Sequence, residues 1–358
     1  MASESADEFE IIRTLFAPYA DNAGARGLTD DAALIEGRFV VTTDAIVEGV
    51  HFLPGDPIAT VAMKAVRVNV SDLVAKGARP TAALMTLIWP RSRPAEEIAV
   101  FAEAFGGDLQ HFGMTLLGGD STSTDGPLTI SVTAFGEPLS QRTPSRADAQ
   151  AGDDVWLVGG EIGSAWLGLQ LRSGAMKLDE IRRDRDEAQA RADSEAMAGH
   201  VPDYLSLPGE PFDAEAAWLM STYLAPFVRP ECASVVAAYA RASMDVSDGL
   251  VADAAKLAAA SHVALRIDAN AVPFSIPSER WAFSGGDFRN LITGGDDYVV
   301  LFTADPGQRD ELETSEWAGA LRLSRIGAVE AGEGVRVVNG QGDEIPISNA
   351  GFSHKLGR

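Results

Sequence analysis

Apolar, strand-like runs in this chain keep leading into aspartate. Residues 38–43, RFVVTT, have the β-branched density of a strand, and Asp44 follows at once. The run MTLLGG leads into Asp120, and a short run leads into Asp245. Between these runs lie stretches with helical spacing. Residues 58–77 place Val61, Ala62, Ala65, Val66, Leu73 and Val74 on one face, and Gly77 and Pro80 stop that helix. TAALMTLI and LTISVTAFG read as further strands, and 95–112 as a helix. A loop containing GGDSTSTDGP is expected between the strands MTLLGG and LTISVTAFG.

Such a mixture of strands and helices predicts an α/β chain of the α+β type. Its 358 residues suggest two domains, at roughly 100–200 residues each. The boundary is placed in the Pro/Arg/Asp-containing stretch after residue 138, giving units 1–138 and 139–358. The second unit begins with the strand DVWLVGG and a helix from Glu161. It continues through an Ala-rich helix near 213–241, a helix at 249–260, and the strands VALRID and YVVLFTA. Residues 177–195 hold 12 charged residues of both signs and read as a solvated helix or insertion.

Composition narrows the function classes. With 29 Lys and Arg against 52 Asp and Glu, the formal charge is −23, the wrong sign for a general nucleic-acid binder. The single cysteine, Cys232, excludes an intrachain disulfide framework and favours a reducing compartment, hence the cytoplasm. The acidic N-terminus has no apolar core, and no apolar run reaches membrane-spanning length, so no membrane is expected as a partner. There is no G-x-x-x-x-G-K-[ST] loop, no G-x-G-x-x-G after a strand, and no H-E-x-x-H. A G-x-S-x-G elbow is missing, and the five histidines have no metal-ligand spacing.

What remains is carboxylate: Asp30 and Asp31, Asp44, Asp72, Asp120, Asp245, Asp248, Asp296 and Asp297. Any one of these suits a turn or a helix N-cap. Asp72 does not, because it sits late in an apolar helix, where an unpaired buried polar group costs about 2–7 kcal/mol or more. If the acids converge, they repel one another and need cations. Mg²⁺ prefers oxygen ligands and takes one or two carboxylates plus water and phosphate oxygens. Several Mg²⁺ ions bridging to a polyphosphate fit a site with many Asp and few Lys or Arg. Gly118 and Gly119 would let backbone N–H groups approach a phosphate.

These motifs, DDAAL, VVTTDAIVEGVHF, VNVSDLVAKGARP, LLGGDST, SVTAFG, MDVSDGL and GGDDYVVLFT, resemble those of the thiamine-monophosphate kinases. That family belongs to the ATP-binding superfamily that also holds aminoimidazole ribonucleotide synthetase and selenophosphate synthetase. The resemblance implies a two-domain fold. An N-terminal α/β domain forms a dimer-spanning sheet or barrel, and a C-terminal α/β domain covers the active cleft. It implies a homodimer that transfers a phosphoryl group from ATP to thiamine monophosphate, directly and in line, with several Mg²⁺ ions and no covalent nucleophile.

Carried over by position, the implied magnesium ligands are Asp30, Thr42, Thr43, Asp44, Asp72, Asp120, Asp245 and Asp248. The ATP contacts are Gly119, Asp120, Arg146 and Ser247, and the substrate contacts are His51, Asp296 and Phe352. Thr29 replaces the second Gly of the family's Gly-x-Gly before the first Asp pair, and Asp296 replaces its Glu. A sibling activity such as aminoimidazole ribonucleotide synthesis is the enzymatic alternative. A non-catalytic acidic metal-binding protein is the alternative from another class.

Overall fold

Helix Ile58–Ala75 is buried on every side, and the rest of the molecule is arranged around it. The computed structural model describes residues 6–182, 213–352 and 355–356, and its first strand, β1 (Ala6–Asp7), pairs antiparallel with Lys355–Leu356. In that helix, 14 of 18 residues are buried, among them Thr60, Lys64, Asn69, Ser71 and Asp72. An all-round buried helix is a core element. Its polar positions, which look like a solvated stripe in the sequence, must therefore find partners inside the protein.

Below the helix lies a five-stranded sheet in the order β2 (Ala33–Ile35), β3 (Phe39–Val47), β6 (Thr129–Pro138), β4 (Ala78–Pro90), β5 (Thr115–Thr124). All neighbours are antiparallel except β4 and β5. The strands alternate along their length: Val40, Thr42 and Ile46 of β3 and Ile130, Val132 and Ala134 of β6 are buried. These residues face helices Ile58–Ala75 and Glu96–His111. The intervening residues, Val41, Thr43 and Ala45 on β3, are partly or fully exposed. One face of this sheet is therefore uncovered in the single chain.

Above the helix lies a six-stranded sheet, ordered β12 (Gly334–Val338), β9 (Ala264–Asp268), β11 (Ser324–Glu330), β7 (Asp154–Val158), β10 (Val300–Ala304), β8 (Ala242–Asp245). Only β12 and β9 run parallel. Strands β7, β8 and β10 are buried at every residue. Trp156, Val158, Val300 and Phe302 join the apolar cluster around helix Ile58–Ala75. Val155, Leu157 and Leu301 join a second cluster with helix Leu250–Ser261. The layers run sheet, helices, sheet, helices, and the first core continues across the connection between residues 138 and 154.

Three elements differ from the sequence expectation. Strand β3 continues to Val47, and β5 continues through Thr124. Thr42, Thr43, Asp44, Gly119 and Asp120 therefore lie within strands rather than in loops beyond them. Both strands keep their ladder partners along this length: Asp44 pairs with Val132 and Asp120 with Thr86. The Ala-rich stretch near 213–241 is two helices, Ala214–Leu224 and Cys232–Tyr239, separated by a segment with Pro226 and Pro230. Residues 183–195 of the charged segment lie outside the described residues. No helix among the described residues is long and apolar enough to cross a membrane.

Candidate active site

Between the two sheets opens a cavity of about 450 Å³ with carboxylates on both walls. Asp44 comes from β3 and Asp72 from the buried helix. Asp245 stands at the end of β8, and Asp30 and Asp31 precede β2. Asp248, Ser247, Arg146, His51, Asp296 and Phe352 also line it. All eleven of these residues are ones that the sequence singles out, and they meet in one place. Residues far apart in the chain converge because helix Ile58–Ala75 touches both sheets.

Each acid has its own partners. Thr42 donates its hydroxyl to Asp72 Oδ2 at 2.5 Å, and Ser71 donates to Asp245 Oδ2 at 2.8 Å. The Asn69 side-chain carbonyl accepts the Asp44 N–H at 3.1 Å. One oxygen from each of Asp31, Asp72 and Asp245 lies within 4.8 Å of the others. Burial, then Asp245 and Asp44, push the Asp72 carboxyl well above the usual carboxylate range. Burial, then Asp31, do the same to Asp245. Burial and then Asp31 push Asp44 up to about 6, with a hydrogen bond to Asp72 opposing. Crowding makes all three carboxyls resist ionisation, and a bound cation would relieve that repulsion. Hard oxygen donors at this spacing fit Mg²⁺.

Asp30 behaves differently. Burial would raise it, but Lys76 and then Arg26 hold it down at about 2. Lys76 Nζ sits 2.5 Å from Asp30 Oδ1 and 2.5 Å from Asp31 Oδ2, and donates to the Ser243 carbonyl at 2.6 Å. Arg146 pairs with Asp31, and Lys256 with Asp248 and the buried Asp253.

The GGDDY turn closes the far wall. Asp296 and Tyr298 take positive φ, 64° and 51°, which non-glycine residues adopt rarely. Their N–H groups donate to the carbonyls of Ser247 and Val246, both at 2.7 Å, and this holds the turn in place. The buried Lys64 lies 3.0 Å from Asp296 Oδ1, with its ammonium 4.4 Å from the Tyr223 ring centroid. Asp296 also borders a second, smaller cavity with Glu161, Trp218 and Phe227. His51 Nδ1 accepts the Val47 N–H at 3.0 Å, so a neutral ring carries its hydrogen on Nε2.

Thr42, Thr43, Gly119 and Asp120 do not line this cavity. Thr42 lies buried behind Asp72 as its hydroxyl donor. Thr43 sits on the uncovered sheet face, with its hydroxyl on the Val132 carbonyl and beside Thr133. Asp120 is exposed on β5, three strands from β3 and therefore about 14 Å away at normal strand spacing. A Cβ on Gly119 would fall 1.8 Å from the Met85 carbonyl oxygen, so strand packing already requires glycine there. Glu48 serves the scaffold. It pairs with Arg93 at 2.7 Å and accepts the Leu128 N–H at 3.2 Å.

Sequence reasoning misses Lys76 and Lys64, which look like ordinary polar positions of a helix, and it passes over Asp31 as a ligand. An ionisable residue inside an otherwise apolar helix is the available signal, and it is weaker for the two lysines than for Asp72, because a long lysine side chain ordinarily reaches solvent.

Residues 29–137 match the family described as AIR synthase related protein, N-terminal domain. The thiamine-monophosphate kinase of Caulobacter vibrioides is 32% identical over 356 residues, 97% of this chain and 90% of that protein. That of Aquifex aeolicus is 31% identical over 91% of this chain and 92% of its own length. Among solved structures, AaThiL complexed with AMPPCP and TMP superposes with a TM-score of 0.75 at 29% identity, covering 97% of both chains. With this degree of identity along nearly the whole length, the chain belongs to the thiamine-monophosphate kinase family.

Proposed function

We propose that this protein phosphorylates thiamine monophosphate to thiamine diphosphate at the expense of ATP, by direct in-line transfer. The observation that carries this reading is the convergence of Asp31, Asp44, Asp72 and Asp245 with Arg146 in one interdomain cleft. The chain belongs to a family of such kinases, and a relative of similar fold is described with an ATP analogue and TMP.

The acceptor oxygen belongs to a phosphate and is already an anion, so no side chain needs to remove a proton from it. It attacks the γ-phosphorus while the bond from that phosphorus to the β-bridging oxygen breaks, and ADP leaves. The difficulty is repulsion between anions. Bound Mg²⁺ would supply positive charge against the phosphoryl oxygens. Asp31, Asp44, Asp72 and Asp245 would hold it, with Thr42 and Ser71 orienting Asp72 and Asp245. Arg146 offers a planar donor to an ATP phosphate once it turns from Asp31. Ser247 and Asp248 border the nucleotide in this reading, and His51, Asp296 and Phe352 border the acceptor, while Gly119 and Asp120 would reach the nucleotide from a second copy's β5.

A homodimer completes the proposal. Strand β5 is an exposed edge of ten residues, with Leu116 and Leu117 46% and 64% exposed. Such edges are normally covered. Covering the open sheet face with a second copy would bring that copy's edge toward Thr43, and Asp120 with it. The domain boundary near 138 and a cytoplasmic location belong to the same reading. The non-catalytic alternative gives no reason for Arg146 and the strained GGDDY turn to face the acids.

The test is Mg²⁺-dependent ADP formation with thiamine monophosphate as acceptor, with the product identified by mass. Turnover only with the substrate of a sibling, such as that of aminoimidazole ribonucleotide synthetase, would replace this reading.

A further inference from the structure

The acidic cleft has two ends with different electrostatics. At one end, Asp72 and Asp245 accept from the hydroxyls of Thr42 and Ser71, and Asp44 lines the same cavity beside them. At the other, the four carboxylate oxygens of Asp30 and Asp31 all meet protein cations. Lys76 takes Asp30 Oδ1 and Asp31 Oδ2, Arg26 takes Asp30 Oδ2, and Arg146 takes Asp31 Oδ1.

Lys76 is the centre of this second end. Its side chain is fully buried and its ammonium is used three times, on two carboxylates and the Ser243 carbonyl. Swinging it away would strand a buried ammonium and a β8 carbonyl and leave one oxygen of each buried carboxylate without its cation, all of which is costly. Lys76 also caps the C-terminal end of helix Ile58–Ala75, where the helix dipole favours a cation. Arg26 is anchored as well, donating to the carbonyls of Thr143 and Pro144 at 3.1 Å.

We propose that Lys76 is a fixed cation that does at Asp30 what a divalent ion would otherwise have to do, so Asp30 is not a metal ligand in this chain. Asp31 shares Lys76 at the same distance but also has an oxygen within 4.8 Å of Asp72 and Asp245, so the metal demand of the cleft falls on Asp31, Asp44, Asp72 and Asp245, and Asp30 is a positioning residue that anchors Lys76. This changes the role that family resemblance alone gives Asp30. It rests on the metal-dependent reading above.

The test counts ions rather than turnover. Metal-free full-length protein is titrated with Mn²⁺, and free Mn²⁺ is read by electron paramagnetic resonance. D30N is expected to bind as many Mn²⁺ per chain as the unaltered protein. K76M, which keeps length and removes charge, is expected to gain one Mn²⁺ site at Asp30. Its metal-free melting temperature should fall, and Mn²⁺ should raise it more than in the unaltered protein. If K76M does not fold, D30N/K76M removes both charges, and it should match the unaltered count. Loss of an ion in D30N, or in the double variant, overturns the proposal. An unchanged count and affinity in a folded K76M does so too. If the unaltered protein binds no Mn²⁺ at all, the metal-dependent reading fails first, an outcome distinct from these.

Discussion

At the scale of the residue, the site is a problem in charge. Asp44, Asp72 and Asp245 are crowded and short of cations, so losing one should remove metal affinity rather than the fold. Asp44→Asn is expected to lower kcat at least about 100-fold at saturating Mg²⁺, with the circular dichroism spectrum unchanged. Asp120→Asn should do the same if the site is completed across a dimer. Near-normal turnover in either would remove that residue from the metal site. The raised carboxyls also set a pH window. Asp44 titrates near 6 in the folded protein against an ordinary value near 3.8, so the fold binds its proton more tightly than the unfolded chain does. The stability this provides is present at low pH and is lost as pH rises from about 4 to 6. Asp72 and Asp245 shift in the same direction. Metal-free protein should therefore melt at progressively lower temperature across that window, and saturating Mg²⁺ should cancel the fall. A flat metal-free profile would contradict it. Most of these acids are legible in the sequence, because an aspartate in an apolar run stands out. Lys76 and Lys64 are not, since a lysine in a helix is ordinarily solvated and only burial makes it unusual.

At the scale of the element, the two strands that carry the motif residues are longer than their apolar runs. β3 and β5 continue because backbone hydrogen bonding does not depend on side-chain polarity. Thr43 and Asp44 keep their pairing with β6, and Gly119 and Asp120 keep theirs with β4. Glycine-rich and aspartate-rich stretches read as loops unless a neighbouring strand is known to be there. Helix Ile58–Ala75 shows the reverse case: its existence and its end are readable from period and Gly77, but its burial on all sides is not. Gly77 makes the turn from that helix into β4 with φ 62°, and a Cβ there would lie 2.9 Å from the Ala237 backbone nitrogen. Gly77→Ala combines a left-handed conformation with a clash against helix Cys232–Tyr239. A loss of about 1–3 kcal/mol is expected from urea denaturation. A change below about 0.5 kcal/mol would show that the helices separate freely at this contact.

At the scale of the whole molecule, the open face of the five-stranded sheet and the exposed β5 edge call for a cover. Leu117→Glu places a charge on that edge without touching the cleft. Unaltered protein should sediment as a dimer, and the variant as a monomer with turnover reduced in proportion. A monomeric unaltered protein with full activity would remove the dimer from the mechanism. The layered arrangement also explains why the cleft needs both sheets. Helix Ile58–Ala75 carries Asp72 and Ser71 between them, and its apolar residues join a core that runs into β7 and β10.

The sequence by itself determined the mixed α/β class and picked out the acids that meet in the cleft, because periodicity and residue chemistry are local properties. It could not determine which carboxylates already have a partner. That depends on which cations the fold buries beside them: Lys76 reaches back along the chain to Asp30 and Asp31, and forward to Ser243 in the other sheet. Nor could it show that Thr43 and Asp44, adjacent in the chain, leave the strand on opposite faces. The pleat sends them apart, and only the packing of helices on one face makes that difference chemical.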